Sequence, residues 1–168
     1  KVITERIQGI KVYKKYLPKD IEGKIEYVNN IGQLQLEKGK WLILSRTNSK
    51  LKNVMKKLQE MGLYYQYKKG KSFKAKLYKT IINYTKWTKG ELLEDNEIKD
   101  ILECCGDEPD KTKPWYEVFT AVSMVERDYL RHMLSNGENL TEDARIKLST
   151  IHAAKGGEED SVVLILDN

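Results

Sequence analysis

Short apolar runs separated by amphipathic segments dominate both ends of the chain, a pattern that predicts strands joined by helices. Strands are predicted near 25–28, 41–45, 63–67, 146–150 and 161–166. Helices are predicted over 1–16, over 29–37 after an Asn cap, and after residue 48, where Asn48 or Ser49 is the cap and Gly62 ends the helix. Strands that alternate with helices favour an α/β fold with a parallel sheet.

The middle of the chain has a different period. Between 74 and 137 the apolar positions recur at helical spacing, and no strand pattern occurs. Helices are predicted there over 77–87, 98–105 and 115–134. A polar stretch at 106–114 separates the last two. We therefore predict an α-helical insertion in the sheet domain.

Composition places the chain among ordinary globular proteins. Its 168 residues are 40% hydrophobic and 33% charged, enough for one domain with a proper core. No run approaches the roughly 18 apolar residues of a membrane helix, and no signal peptide opens the chain. Cys104 and Cys105 are adjacent and form neither a disulfide framework nor a zinc pattern, so we expect a reduced, cytoplasmic setting.

Charge is distributed very unevenly along the chain. Residues 1–90 contain 22 Lys and Arg against 6 Asp and Glu, a net of +16, whereas residues 91–168 contain 8 against 19, a net of −11. Any single lysine is best explained as part of a solvated helix face. The bias as a whole indicates a surface that faces a polyanion, and nucleic acid is the leading partner.

One segment carries most of the candidate chemistry. An apolar run over 146–150 leads into a polar turn, a second apolar run follows at once, and the turn reads Thr150-x-His152-x-x-Lys155-Gly156-Gly157-Glu158. In α/β folds such turns place ligand-binding groups at the carboxyl ends of strands. The Thr, His and Lys supply hydrogen-bond donors, the paired glycines let the backbone approach a phosphate or sugar, and the final carboxylate suits a ribose hydroxyl.

This turn resembles motif V of the superfamily 1 helicases of the UvrD/Rep type, whose pattern is Thr-x-His-x-x-Lys-Gly-x-Glu. Other segments are similar in the same order: a short strand at 22–28, a buried strand that ends in Arg46-Thr47-Asn48, a helix that leads to Gly62, and a strand with a Gly-containing loop over 63–73. The chain departs from the commoner family form at Gly157, where Leu is usual, and at Glu159, which replaces an aromatic residue.

The resemblance implies a RecA-like parallel sheet flanked by helices, with an α-helical insertion. Residues 1–73 would be the first part of the second motor domain and 141–168 the part with motif V. Residues 74–140 would be a short counterpart of the family's inserted subdomain. The family hydrolyses ATP with Mg²⁺ and moves along single-stranded DNA, and short insertions suggest a bacterial or phage-encoded member.

The same resemblance implies roles for individual residues. Those expected to contact single-stranded DNA are Arg46, Thr47, Asn48, Thr150, His152 and Lys155. Those expected on the nucleotide side are Gly156, Gly157 and Glu158. Partners would be single-stranded DNA, ATP and the first RecA-like domain of the same protein, which carries the P-loop and the Mg²⁺ ligands.

Two further patterns resemble ATPase motifs but lack a required residue. Gly70-Lys71-Ser72 resembles the end of a P-loop, yet Tyr65 stands where the loop needs Gly. The apolar run 162–166 before Asp167 resembles a magnesium-binding strand, but Asn168 follows instead of Glu. We therefore expect no catalytic residue in this chain. A metal site around His152 with Glu158, Glu159 and Asp160 is weakly indicated by a single His.

Alternatives to the motor-domain interpretation stay open at this point. The chain starts at Lys1 and stops just after an apolar strand, so we expect it to be part of a longer protein. It could be a non-catalytic nucleic-acid-binding or protein-docking module on a degenerate helicase scaffold, or part of a helicase–nuclease subunit. Among the aromatic residues, Tyr65 and Tyr67 are the candidates for stacking on bases, because lysines follow them.

Overall fold

The computed structural model describes residues 23–68, 70–154 and 159–166. The strands are β1 (Trp41–Ser45), β2 (Tyr65–Tyr67), β3 (Gly70–Lys71), β4 (Ile146–Thr150) and β5 (Ser161–Ile165). The helices are α1 (Asn48–Glu60), α2 (Ala75–Thr88), α3 (Asp95–Cys104), α4 (Trp115–Val118) and α5 (Met124–Ser135), with a short 3₁₀ helix at Ile31–Gln33. The helix predicted over 1–16 lies outside the described residues.

The five strands form one sheet in the order β3-β2-β4-β1-β5. Strand β1 pairs in parallel with β4 and β5, and β2 pairs in parallel with β4. Only the two-residue β3 runs antiparallel, to β2. The predicted α/β fold with a mostly parallel sheet flanked by helices is therefore confirmed, as a RecA-like arrangement requires.

The centre of the sheet is held together by side chains of β1 and β4. Ile43 and Ile146 are completely buried and Leu148 is 3% exposed. Helix α1 packs against these two strands because its buried residues, Leu51, Val54 and Leu58, recur three and four positions apart on one face. The tertiary contacts thus join residues about a hundred positions apart in the chain.

Two predictions before β1 were wrong. Residues 25–28 form no strand, because Ile25 and Tyr27 are 83% and 89% exposed and have no strand beside them among the described residues. The helix predicted over 29–37 is only the 3₁₀ helix at Ile31–Gln33. Its predicted Asn cap is present: the Asn30 side chain accepts a hydrogen bond from the Gly32 amide.

The start of α1 also differs from the prediction. The capping residue is Thr47 rather than Asn48 or Ser49, and its side chain makes no capping hydrogen bond. The side chain of Asn48 instead accepts a hydrogen bond from the Tyr67 hydroxyl at 2.9 Å. A contact across the sheet edge has therefore replaced the local cap that the sequence favoured.

Residues 74–140, all of them described, contain four helices and no strand, as predicted for the insertion. The single long helix predicted over 115–134 is wrong, since α4 and α5 are separated at 119–123. Tertiary hydrogen bonds hold this break: the Ala121 amide donates to the Cys104 carbonyl, and the Gly106 amide donates to Thr120 Oγ1. Ser123 Oγ then caps α5.

A buried hydrogen-bond chain fastens the insertion to the sheet. The Tyr65 amide donates to Ser72 Oγ, which lies 2.7 Å from the Tyr129 hydroxyl, and that hydroxyl donates to the Leu63 carbonyl at 2.8 Å. Burial raises the pKa of Tyr129, so the phenol stays neutral and keeps its proton for this bond. Asn136 adds hydrogen bonds to the carbonyls that end α1.

Gly62, just after α1, lies close against His132 of α5. It has φ of +65°, and a Cβ built there would lie 2.5 Å from His132 Cβ. We predict that Gly62→Ala lowers the free energy of unfolding by about 2–4 kcal/mol, from backbone strain plus overpacking. Gly39→Ala is the matched control, because Gly39 has φ of +73° with nothing within 4 Å, so only backbone strain applies. Equal losses in urea unfolding of both variants would contradict the close approach.

Candidate nucleic-acid interface

The carboxyl ends of β1 and β4 lie beside each other. Ser45 pairs with Thr150 in the parallel register, and the Ile151 amide donates to the Ser45 carbonyl at 3.0 Å. The residues that follow each strand therefore leave the sheet at the same edge. The sequence predicted this juxtaposition of 46–48 with 150–152, and for these residues it is confirmed.

After β1 the chain turns directly into α1. Ser45 is completely buried, and its hydroxyl accepts a hydrogen bond from the Thr47 amide at 3.4 Å. Arg46, Thr47 and Asn48 are exposed. The 13-residue α1 begins at this turn. Its first backbone amides give the turn the partial positive charge of a helix N-terminus. A guanidinium, a hydroxyl and an amide side chain thus share one surface with these amides.

After β4 the chain forms a tight turn over 151–154. Thr150 organises this turn, because its hydroxyl accepts from the Ala153 amide at 3.3 Å and its carbonyl accepts from the Ala154 amide at 3.0 Å. His152 is exposed on the turn. Lys155, Gly156, Gly157 and Glu158 lie outside the described residues, so their placement stays a prediction from the sequence.

A groove of about 440 Å³ lies between these two turns and β2. Its walls combine polar with small apolar residues: Leu42, Asn48, Gln66, Tyr67, Lys68, Lys147, Leu148, Ser149, Thr150, Ala153 and Ala154. Its volume falls within the range of small-ligand sites. Lys147 was not predicted as a site residue. Its place between two apolar residues of a strand was the signal that its side chain reaches solvent.

The two tyrosines considered for base stacking have different environments. Tyr65 is 5% exposed and belongs to the core, so its ring is closed to a ligand. Tyr67 lines the groove, with its hydroxyl on Asn48 and Lys68 Nζ 5.2 Å from its ring centroid. Of the two, Tyr67 alone can meet a base.

Two lysine contacts tie β5 to the rest of this region. Lys147 Nζ lies 2.6 Å from Glu159 Oε1, and the glutamate side chain is only 12% exposed. Lys50 Nζ donates to the Leu166 carbonyl at 3.3 Å. The charge of Lys147 is therefore paired. Lys68 is an exposed cation on the wall of the groove, and Arg46 is exposed on the turn after β1.

The Gly70-Lys71-Ser72 segment does not form a phosphate-binding loop. Gly70 and Lys71 form the antiparallel β3 rather than a loop before a helix, and Lys71 Nζ donates to the Leu140 carbonyl at 2.9 Å. Ser72 belongs to the buried hydrogen-bond chain that reaches Tyr129. Among residues 23–68, 70–154 and 159–166, no group of three His, Cys, Asp or Glu side chains is placed to hold a metal ion.

The chain matches no protein-family model, no curated protein and no solved structure. In the part of the chain that the structure describes, no helix combines the length and apolar character needed to cross a bilayer.

Replacing Lys147 tests the pairing that holds β5 in place. We predict that Lys147→Met lowers the free energy of unfolding by about 1 kcal/mol or somewhat more, because it leaves the largely buried Glu159 carboxylate without its cation. Adding Glu159→Gln should restore part of the loss. The control is Lys57→Met. Its partner Glu60 is 49% exposed, so this substitution should hardly change the free energy of unfolding. Urea unfolding that shows the same small change for both lysines would contradict this role.

Proposed function

We propose that this chain is the second RecA-like motor domain, with its helical insertion, of a UvrD/Rep-like ATP-dependent DNA helicase or translocase. In that protein it contributes contacts to single-stranded DNA and one side of the nucleotide cleft. The observation that carries the proposal is the parallel pairing of β1 with β4. This pairing brings the Arg-Thr-Asn turn and the Thr-x-His turn, which resemble two separate family motifs, to one sheet edge.

The described side chains of this edge suit a phosphodiester backbone. Arg46 can present two parallel N–H donors to a phosphate, and the α1 N-terminus adds oriented amides. Thr47, Asn48 and His152 supply short-range donors without reading a base sequence. The Tyr67 ring in the groove offers a stacking surface that any base can use. Lys155 is proposed to extend this set on the basis of its motif position.

The nucleotide side of the proposal rests on Gly156, Gly157 and Glu158, whose motif positions suit a ribose and its neighbouring phosphates. The P-loop and the Mg²⁺ ligands are proposed to lie on the first RecA-like domain of the full-length protein. When both domains are present, ATP would supply the free energy for translocation. The residues of this chain would then hold one side of the nucleotide and the DNA strand.

Binding to single-stranded DNA tests the proposed edge. We predict that the 168-residue chain binds an oligonucleotide with an affinity that falls steeply with salt, because each phosphate contact releases a counterion. Arg46→Ala should weaken binding by roughly 5- to 30-fold and reduce the log–log salt slope by about one. Arg131→Ala is the matched control, since that guanidinium lies over the Tyr116 ring in the insertion. Fluorescence anisotropy at several salt concentrations measures both quantities, and equal effects of the two substitutions would refute the edge.

ATP hydrolysis separates the motor interpretation from its rivals. The chain alone should show no ATPase activity above background, with or without DNA, because phosphoryl transfer needs a phosphate cradle and a magnesium carboxylate. The full-length protein should show DNA-stimulated hydrolysis, and Glu158→Ala there should impair nucleotide use more than DNA binding. A full-length protein that binds DNA without hydrolysing ATP would instead be the non-catalytic module. Robust ATPase from the chain alone would contradict the divided site.

A further inference from the structure

A lysine stands in the middle strand of the sheet. Lys147 lies on β4, which has β2 and β1 on its two sides, and the parallel register places Gln66 and Leu42 beside it. The strands of parallel sheets are covered on both faces and are therefore apolar at most positions. A charged side chain at such a position is costly unless a partner or a ligand compensates its charge.

The partner of Lys147 is Glu159, which lies just before β5. Lys147 Nζ is 2.6 Å from Glu159 Oε1, and the two side chains are 43% and 12% exposed, so the lysine is the accessible member of the pair. Replacing such an ion pair by apolar residues of similar volume often leaves a protein equally stable or more stable. Stability alone therefore does not account for a charged pair in the middle of the sheet.

Lys147 also belongs to the wall of the groove. It lines this space of about 440 Å³ together with Ser149, which lies two residues further along the same face of β4. Lys68 is an exposed cation on the wall of the same groove. An ammonium has three N–H donors, and the contact with Glu159 Oε1 uses one of them. The other donors of Lys147 can therefore meet an anion in the groove.

Glu159 opposes any anion that binds to Lys147. Its carboxylate has the same sign of charge as a phosphate and contacts the same ammonium. Like charges a few ångströms apart repel each other strongly where solvent is partly excluded, as it is around this carboxylate. A phosphate in the groove must therefore share the ammonium with Glu159 or displace the carboxylate from it.

We propose that Lys147 contacts a backbone phosphate of the single strand, and that Glu159 weakens this contact as a competitor within the protein. The proposal rests on the DNA-binding function proposed above and adds a phosphate contact inside the groove. Glu159 then keeps the affinity of the groove below the value that its cations alone would give. Differences in affinity at one interface lie mostly in the dissociation rate, so the competition speeds release of the strand, as movement along DNA requires.

Two variants of the 168-residue chain measure the competition. Glu159→Gln should strengthen binding of a single-stranded oligonucleotide roughly three- to tenfold and steepen the log–log salt slope by about 0.7, because Lys147 then neutralises one more phosphate. The Lys147→Met/Glu159→Gln double variant has the net charge of the unsubstituted chain and should lose this gain. Fluorescence anisotropy at several salt concentrations measures both quantities.

Glu60→Gln is the matched control. It makes the same change of net charge at the exposed ion pair with Lys57, near the end of α1. Asn48, at the start of the same helix, lines the groove, and twelve residues of helix separate the two positions by ~18 Å. That distance exceeds the Debye length of about 8 Å at physiological salt, so binding should change by less than about 1.5-fold. A gain from Glu159→Gln no larger than this, or one that the double variant retains, would overturn the proposal.

Arg46→Ala in the same assay separates this proposal from the function on which it rests. A chain that does not bind the oligonucleotide, or whose binding Arg46→Ala leaves unchanged, would refute the proposed edge and the competition with it. Binding that depends on Arg46 but is not strengthened by Glu159→Gln would overturn the competition alone.

Lysine footprinting of the unsubstituted chain tests the contact even where a variant fails to fold. The oligonucleotide should protect Lys147 from reductive methylation, with the concentration dependence seen by anisotropy, and should leave Lys57 unprotected. Peptide mass spectrometry locates both sites. Methylation of Lys147 that a saturating oligonucleotide does not slow would overturn the contact. Equal protection by thymidine monophosphate at the same phosphate concentration would assign the groove to a free nucleotide and overturn the strand contact.

Discussion

The parallel pairing of β1 with β4 is the interaction on which the rest of the structure depends. It joins residues about a hundred positions apart, buries Ile43 between its neighbours and gives α1 a surface to pack on. In the chain the helical insertion follows β3 and precedes β4, and β4 then returns the chain to the same sheet. Without this pairing the core would divide, and the two turns that form the candidate interface would have no common edge.

The insertion is an extension of the same core rather than a separate unit. Its α5 helix lies so close to Gly62, just after α1, that a Cβ there would be 2.5 Å from His132 Cβ. The Tyr129 hydroxyl donates to the Leu63 carbonyl just before β2. Apolar residues of α2 to α5 belong to the same buried cluster as the strands. A ligand bound at the carboxyl edge of the sheet would therefore bind a domain whose helical insertion is packed into the same core as the strands.

Sequence reasoning located the strong elements and missed those decided by distant contacts. The strands β1 and β4 and the helix α1 were predictable because their apolar positions coincide with burial, and β5 was predictable as a short apolar run. The break near Phe119 and the displaced cap at Thr47 were not, since contacts from residues far along the chain decide both. Residues 25–28 have a strand-like composition, but nothing in the described sheet pairs with them.

The candidate site was predictable in a similar, partial way. Motif spacing identified 46–48 and 150–152, and the rule that parallel strands end at one edge brought them together. The motif spacing gave no indication of the groove, because Gln66 and Lys68 come from one segment and Lys147 from another, and only the sheet order makes the two segments neighbours. The sequence also suggested Tyr65 for base stacking, but its position on the strand points its side chain into the core.

The most direct test of the shared interface is a backbone NMR titration of the chain with a short single-stranded oligonucleotide. The account predicts that amide shifts change together at 46–48, 67–68 and 150–154, with one common affinity, while those of α3 and α4 stay unchanged. Changes confined to the insertion, or changes at only one of the two turns, would contradict a single binding edge built by β1 and β4.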